Sequence, residues 1–188
     1  MRSITFRLSA VLLVSGMVAC APVPFNPATN NDTTKPGIVL RVEGAGPTAV
    51  EVTNFVPGQL QNKSAVANPN ATVKLLATAT DNESGIKEIT LNVTRTVKFI
   101  ASNGSLAEAR MATRLVDSQT YTLNNGQAPS FGAIQASVKP SDEFVFTNAN
   151  GTTITGVGVV LEYNVEGRNF NGLWDHTERL TVSSGQLQ

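Results

Sequence analysis

The chain has 188 residues, 14 of them Lys or Arg and 14 Asp or Glu, and it is 41% hydrophobic but only 15% charged. So even a balance offers no basic face for nucleic acid, and a single cysteine excludes an internal disulfide framework and a cysteine-cluster zinc site. A body of about 150 residues is long enough to bury one sizeable core.

Arg2 and Arg7 place positive charge ahead of a mostly apolar run from Leu8 to Ala19. That run falls short of the ~20 helical residues that cross a bilayer, and it fits the apolar region of a removable secretory signal. The predicted signal is residues 1–19; its removal takes two of the 14 basic residues and leaves 12 against 14 acidic ones. Its end, Met17-Val18-Ala19-Cys20, resembles the lipobox of bacterial lipoproteins, with Met17 standing where Leu is usual. The resemblance implies a diacylglycerol thioether on Cys20, often with a third acyl chain on its amine, and a place at the cell envelope. Two or more chains hold stably where one binds only marginally. Ala21, rather than Asp, implies sorting to the outer membrane in enteric-type two-membrane bacteria; with one membrane the anchor lies on its outer face. The alternative is an ordinary signal cleaved near Ala19 or Ala21, leaving a free thiol.

Residues 20–36 follow as the lipidated cysteine and a tether. Ala21 to Pro36 is rich in Pro and Asn and lacks hydrophobic periodicity, so it reads as flexible chain reaching about 50 Å if fully extended. Packing as a first edge strand is the other reading.

From Gly37 the period is two, the signature of strands. Val73, Leu75, Ala77 and Ala79 alternate with polar neighbours, as do Ile89, Leu91 and Val93, and later Val157, Val159, Leu161, Tyr163 and Val165. Further strands are predicted at 38–42, 50–55, 110–116, 120–123, 133–138, 143–146 and 178–182. Residues 105–113 read as a strand or one helical turn. Asn103-Gly104, Asn125-Gly126 and Asn150-Gly151 supply the positive-φ positions of tight turns, and Ser84-Gly85 and Asn171-Gly172 do the same. One-sided alternation with this punctuation predicts a single all-β domain over 37–185, an antiparallel sandwich.

Thr78-Ala-Thr-Asp81-Asn-Glu-Ser-Gly85-Ile86, followed by Glu88-Ile-Thr-Leu-Asn-Val93, resembles the second strand, turn and third strand of bacterial immunoglobulin-like domains. Thr34 to Val42 is similar to their first strand, and Tyr163 to Gly172 with Thr177 to Val182 to their last two. The resemblance covers about a third of the domain and implies an immunoglobulin-like sandwich. The middle, about residues 95–150, exceeds a minimal module and predicts extra strands or a long hairpin.

Candidate chemistry is sparse. Asp81, Asn82, Glu83 and Ser84 crowd one turn; a calcium site needs several such oxygens, but the spacing is not an EF-hand's and a side-chain cap by Asp81 is favoured. No metal or cofactor is expected. His176, beside Asp175, has no nucleophile elbow to serve. Glu162 is predicted to face opposite to Tyr163, toward solvent. A hydrolase using His176 or such acids is the weakest reading, and the chain is read as non-catalytic. Sugar-binding modules commonly combine aromatic platforms with amides, so Phe170, Trp174, Asn169 and Asn171 form the best local candidate site, although packing is favoured for Trp174. The expected function is binding of a protein or envelope polymer by a membrane-anchored domain, with a carbohydrate-binding module as alternative.

Overall fold

Alternation of apolar and polar side chains divides each long strand between a core face and a wet face, and two sheets close over the result. The computed structural model describes residues 21–26, 31–59, 61 and 63–186. The predicted signal and Cys20 lie outside the described residues.

The first sheet has the order β10-β5-β2-β3, from Phe131–Val138, Val73–Thr80, Gly37–Glu43 and Val50–Thr53. The second has the order β4-β15-β13-β6, from Lys63–Val66, Leu180–Gly185, Gly158–Asn169 and Ile86–Ile100. The far side of β6 carries both β7 (Leu106–Arg110) and β8 (Arg114–Thr120), while β14 (Trp174–His176) pairs with the end of β13. Small pairs join β1 (Val23–Pro24) to β9 (Gln127–Ala128) and β11 (Val145–Thr147) to β12 (Thr153–Thr155). A 3-10 helix spans Pro140–Glu143. The fold is an all-β sandwich, antiparallel except where β4 runs parallel to β15.

Ile38, Leu40 and Val42 of β2 and Val73, Leu75, Ala77 and Ala79 of β5 face Ile89, Leu91 and Val93 of β6 and Val159, Leu161, Tyr163 and Val165 of β13. All are at most 2% exposed. Each large side chain so buried contributes about 1.5–3 kcal/mol relative to exposure. Phe146 is buried, and Phe99 and Phe144 pack against the same cluster.

Four expectations change. Of the strand predicted over 120–123 only Thr120 is extended, as the last residue of β8. The strand predicted over 110–116 is broken at 111–113, so that β7 and β8 each pair with a different part of β6. Residues 143–146 begin in the 3-10 helix, because Pro140 presets its first turn. The tether over 20–36 is not free in its described parts. Val23 pairs with Ala128, Phe25 is buried with its ring centroid 5.5 Å from that of Phe170, and Ser130 Oγ donates to Ala21 O at 2.7 Å. A two-residue strand has no periodicity to announce it.

Candidate functional site

The turn between β5 and β6 brings the second sheet back across the core, and Asp81 caps it. Asp81 Oδ1 accepts the backbone N–H groups of Glu83 (3.0 Å), Ser84 (2.7 Å) and Gly85 (3.1 Å). Gly85 takes φ +73°, and a Cβ there would lie 2.3 Å from Ala128 Cβ. Asp32, from the segment read as tether, completes the cluster: Ser84 Oγ donates to Asp32 Oδ2 at 2.6 Å. Burial alone would raise the Asp32 carboxyl; the hydrogen bonds from Ser84 and the Thr34 backbone outweigh it and hold the group below its ordinary range.

Asn169 ties this cluster together. Its Nδ2 donates to Asp81 Oδ2 (3.0 Å), Asp32 Oδ2 (3.2 Å) and Thr34 O (3.2 Å), while its Oδ1 accepts the Leu173 N–H at 2.9 Å. Fully buried, it cannot present its amide to a ligand. Asn171 donates to Asp32 O, and Phe170 packs on Phe25. Of the four residues proposed as a loop site, Asn169 is buried and Phe170 half-buried, while Asn171 and Trp174 are exposed, Trp174 at 52%. The four do not converge: three belong to the structural end of the sandwich. Trp174 does not cap the core, since β14 holds it over the outer side of β13, opposite Arg168.

What surrounds Trp174 and His176 is more informative. Asn54, just after β3, donates to Asp175 Oδ2 at 3.0 Å and to Pro36 O, and the Phe55 N–H donates to His176 O at 2.7 Å. These bonds carry the tail of the first sheet to the rim of the second. The Phe55 and His176 rings stack with centroids 5.1 Å apart, and His176 and Trp174 stack at 5.8 Å. Three rings therefore run in a row.

Beside them lies a groove of about 670 Å³ over the outer face of β6, β13 and β15. Asn92 and Thr94 of β6, Glu162, Asn164 and Glu166 of β13 and Thr181 of β15 line it, with Phe55 and His176 at its wall. Among the described lining residues, Phe55 alone has a hydrophobic side chain. Register places Asn92 directly opposite Asn164, and neither carboxamide has a hydrogen-bond partner among the described residues. Glu162 is paired with Arg110 at 2.8 Å and Arg179 at 3.7 Å. A smaller cleft of about 160 Å³ continues past Glu166 beside Trp174.

The two residues singled out for hydrolysis, Glu162 and His176, thus line one groove. The His176 Nδ1 has no hydrogen-bond partner among the described residues, and Asp175 Oδ1 stands 3.8 Å away. The nucleophile–base and base–carboxylate bonds of a triad are not formed there. Among the described residues no group of three or more His, Cys, Asp or Glu side chains is arranged to hold a metal ion. Sequence reasoning missed Phe55, Asn92 and Asn164; alternation marked Asn92 and Asn164 as outward, but only strand register brings them together.

No family model matches the chain, and no curated protein matches it. One solved structure that matches is Spo0M, a sporulation control protein from Bacillus subtilis, at 12% identity and a TM-score of 0.35, over 79% of this chain and 49% of that one. The chain spans about half the length of that protein, and at this TM-score the likeness says nothing about function.

Proposed function

We propose that this is a non-catalytic lipoprotein of the bacterial cell envelope, anchored through acylated Cys20, whose immunoglobulin-like sandwich binds a protein or envelope polymer. It sits on the outer membrane of a two-membrane cell, or on the outer face of a single membrane. The observation that carries the reading is the N-terminal order of basic residues, a 12-residue apolar run and Met17-Val18-Ala19-Cys20. The immunoglobulin-like part draws support from strand order: β2, β5 and β10 share one sheet, while β6, β13 and β15 share the other, as the first, second and fifth and the third, sixth and seventh strands of that fold do. A folded body with an open polar groove suits a binding role.

Growth with a labelled fatty acid tests the anchor. Label is expected on the wild type and lost in Cys20→Ser, which should leave the membrane fraction. Equal release of both proteins, without label, overturns the anchoring.

A further inference from the structure

We propose that the groove over β6, β13 and β15 binds an oligosaccharide, stacking sugars on the end rings, Phe55 and Trp174, of the Phe55–His176–Trp174 row and holding hydroxyls with Asn92 and Asn164. The inference deepens the non-catalytic binding role proposed above and rests on it.

The groove's chemistry narrows the occupant. Ligand sites of roughly 300–1,000 Å³ are usually mostly apolar. This one, at about 670 Å³, has Phe55 as its sole hydrophobic lining side chain among the described residues. It offers an acyl chain or an apolar ligand nothing to bury. Its three glutamates against Lys63 and Arg179 make it a poor host for phosphates or nucleic acid. An extended peptide recognised by strand addition needs a free backbone edge. The floor strands have none: β6 pairs with β13 and β8, β13 with β6 and β15, and β15 with β13 and β4; the open edge belongs to β4, whose Lys63 and Ser64 stand at the side of the groove. Recognition on the floor runs through side chains.

Those side chains suit a polyhydroxyl chain. Asn92 and Asn164 stand side by side across the strands, each offering an amide donor and a carbonyl acceptor with no group among the described residues bonded to either. Glu166, without an ion pair among the described residues, adds carboxylate acceptors. Phe55 is 37% and Trp174 52% exposed, so the two ends of the row present ring surface, Phe55 to the groove and Trp174 to its continuing cleft. Flat rings accept the C–H face of a sugar, while the paired strands beneath fix the backbone that carries the amides, which lowers the ordering cost of binding.

Titration calorimetry of the mature protein in detergent, against hexamers of glucose, mannose, N-acetylglucosamine and galacturonic acid, tests this. At least one hexamer should bind at micromolar to millimolar concentration. Asn92→Ala and Asn164→Ala should each weaken it roughly tenfold. Phe55→Ala should weaken it too, while Gln135→Ala on the opposite sheet should not. Melting temperatures separate loss of binding from loss of fold. Failure of every hexamer to bind below about 10 mM, or full affinity in the two asparagine variants, overturns the proposal, as does capture of a peptide in place of every sugar. The fatty-acid label reports separately on the anchor, so either result stands without the other.

Discussion

Asn169 and Asp32, 137 residues apart, share a buried hydrogen bond of 3.2 Å, and the same carboxamide reaches Asp81 at 3.0 Å. One neutral donor thereby fastens the N-terminal segment, the β5–β6 turn and the end of β13. Asn169→Ala leaves two buried carboxylates short of a donor, at about 1–3 kcal/mol for each group left unsatisfied. Urea unfolding should show the loss, and Asn169→Asp, which adds a third carboxylate, should lose more.

Acid should act through the same cluster. The folded Asp32 carboxyl titrates below its ordinary value, so its contribution to stability is complete above about pH 4 and fades as pH falls through the folded value. The stability gap between the wild type and Asp32→Asn should therefore shrink as unfolding is measured at successively lower pH.

Alkali has a counterpart in Tyr163. Burial, reinforced by the negative charge of Glu143, pushes its phenol well above the usual range. Its contribution is complete below the unfolded value near pH 10 and is lost as pH climbs beyond it. Phenolate absorbance from Tyr163 should appear only as the protein unfolds, and Tyr163→Phe should flatten the alkaline limb of the stability curve.

Two glycines of similar φ separate backbone strain from steric clash. Gly172, at φ +86°, has open space where a Cβ would go, whereas Gly85, at φ +73°, has Ala128 Cβ 2.3 Å from that point. Gly172→Ala should cost about 1–2 kcal/mol, the left-handed penalty alone. Gly85→Ala should cost about 1–3 kcal/mol more, from overpacking. Parallel denaturation curves check the difference.

Ion pairs should rank by burial. Glu143, 12% exposed, accepts from Arg95 at 3.0 Å and also pairs with Arg114. Glu143→Ala leaves Arg95 partly buried without its carboxylate, and about 3 kcal/mol is expected, at the low end for a broken buried pair. Arg41→Ala breaks a pair in which both side chains are nearly half exposed, and should cost at most about 0.5 kcal/mol.

Most of the sandwich is legible before any coordinates, because Val73–Thr80 and Gly158–Asn169 each expose one face and a period of two is hard to mistake. The Asp81 cap is legible as well, since Asp, Ser and Gly at that spacing encode their own turn. The short β4, Lys63–Val66, is not: its Val66 is 69% exposed and only Ala65 is buried, leaving no pattern. The groove is hidden for another reason. Asn54 meets Asp175 across 121 residues, and Asn92 meets Asn164 only through strand register, so neither neighbourhood is written in any local segment.

The bond from Ser130 to the Ala21 carbonyl bears on where the body would stand. Acyl chains on Cys20 would be one residue, or about 4 Å of backbone, from a point already fixed to the protein. The domain would then sit flush on the lipid headgroups, resting on the end built from β1, β9 and the Gly85 turn. A leash that allowed it to sweep the space above the bilayer would be missing, and whatever it captures would have to come down to the membrane surface.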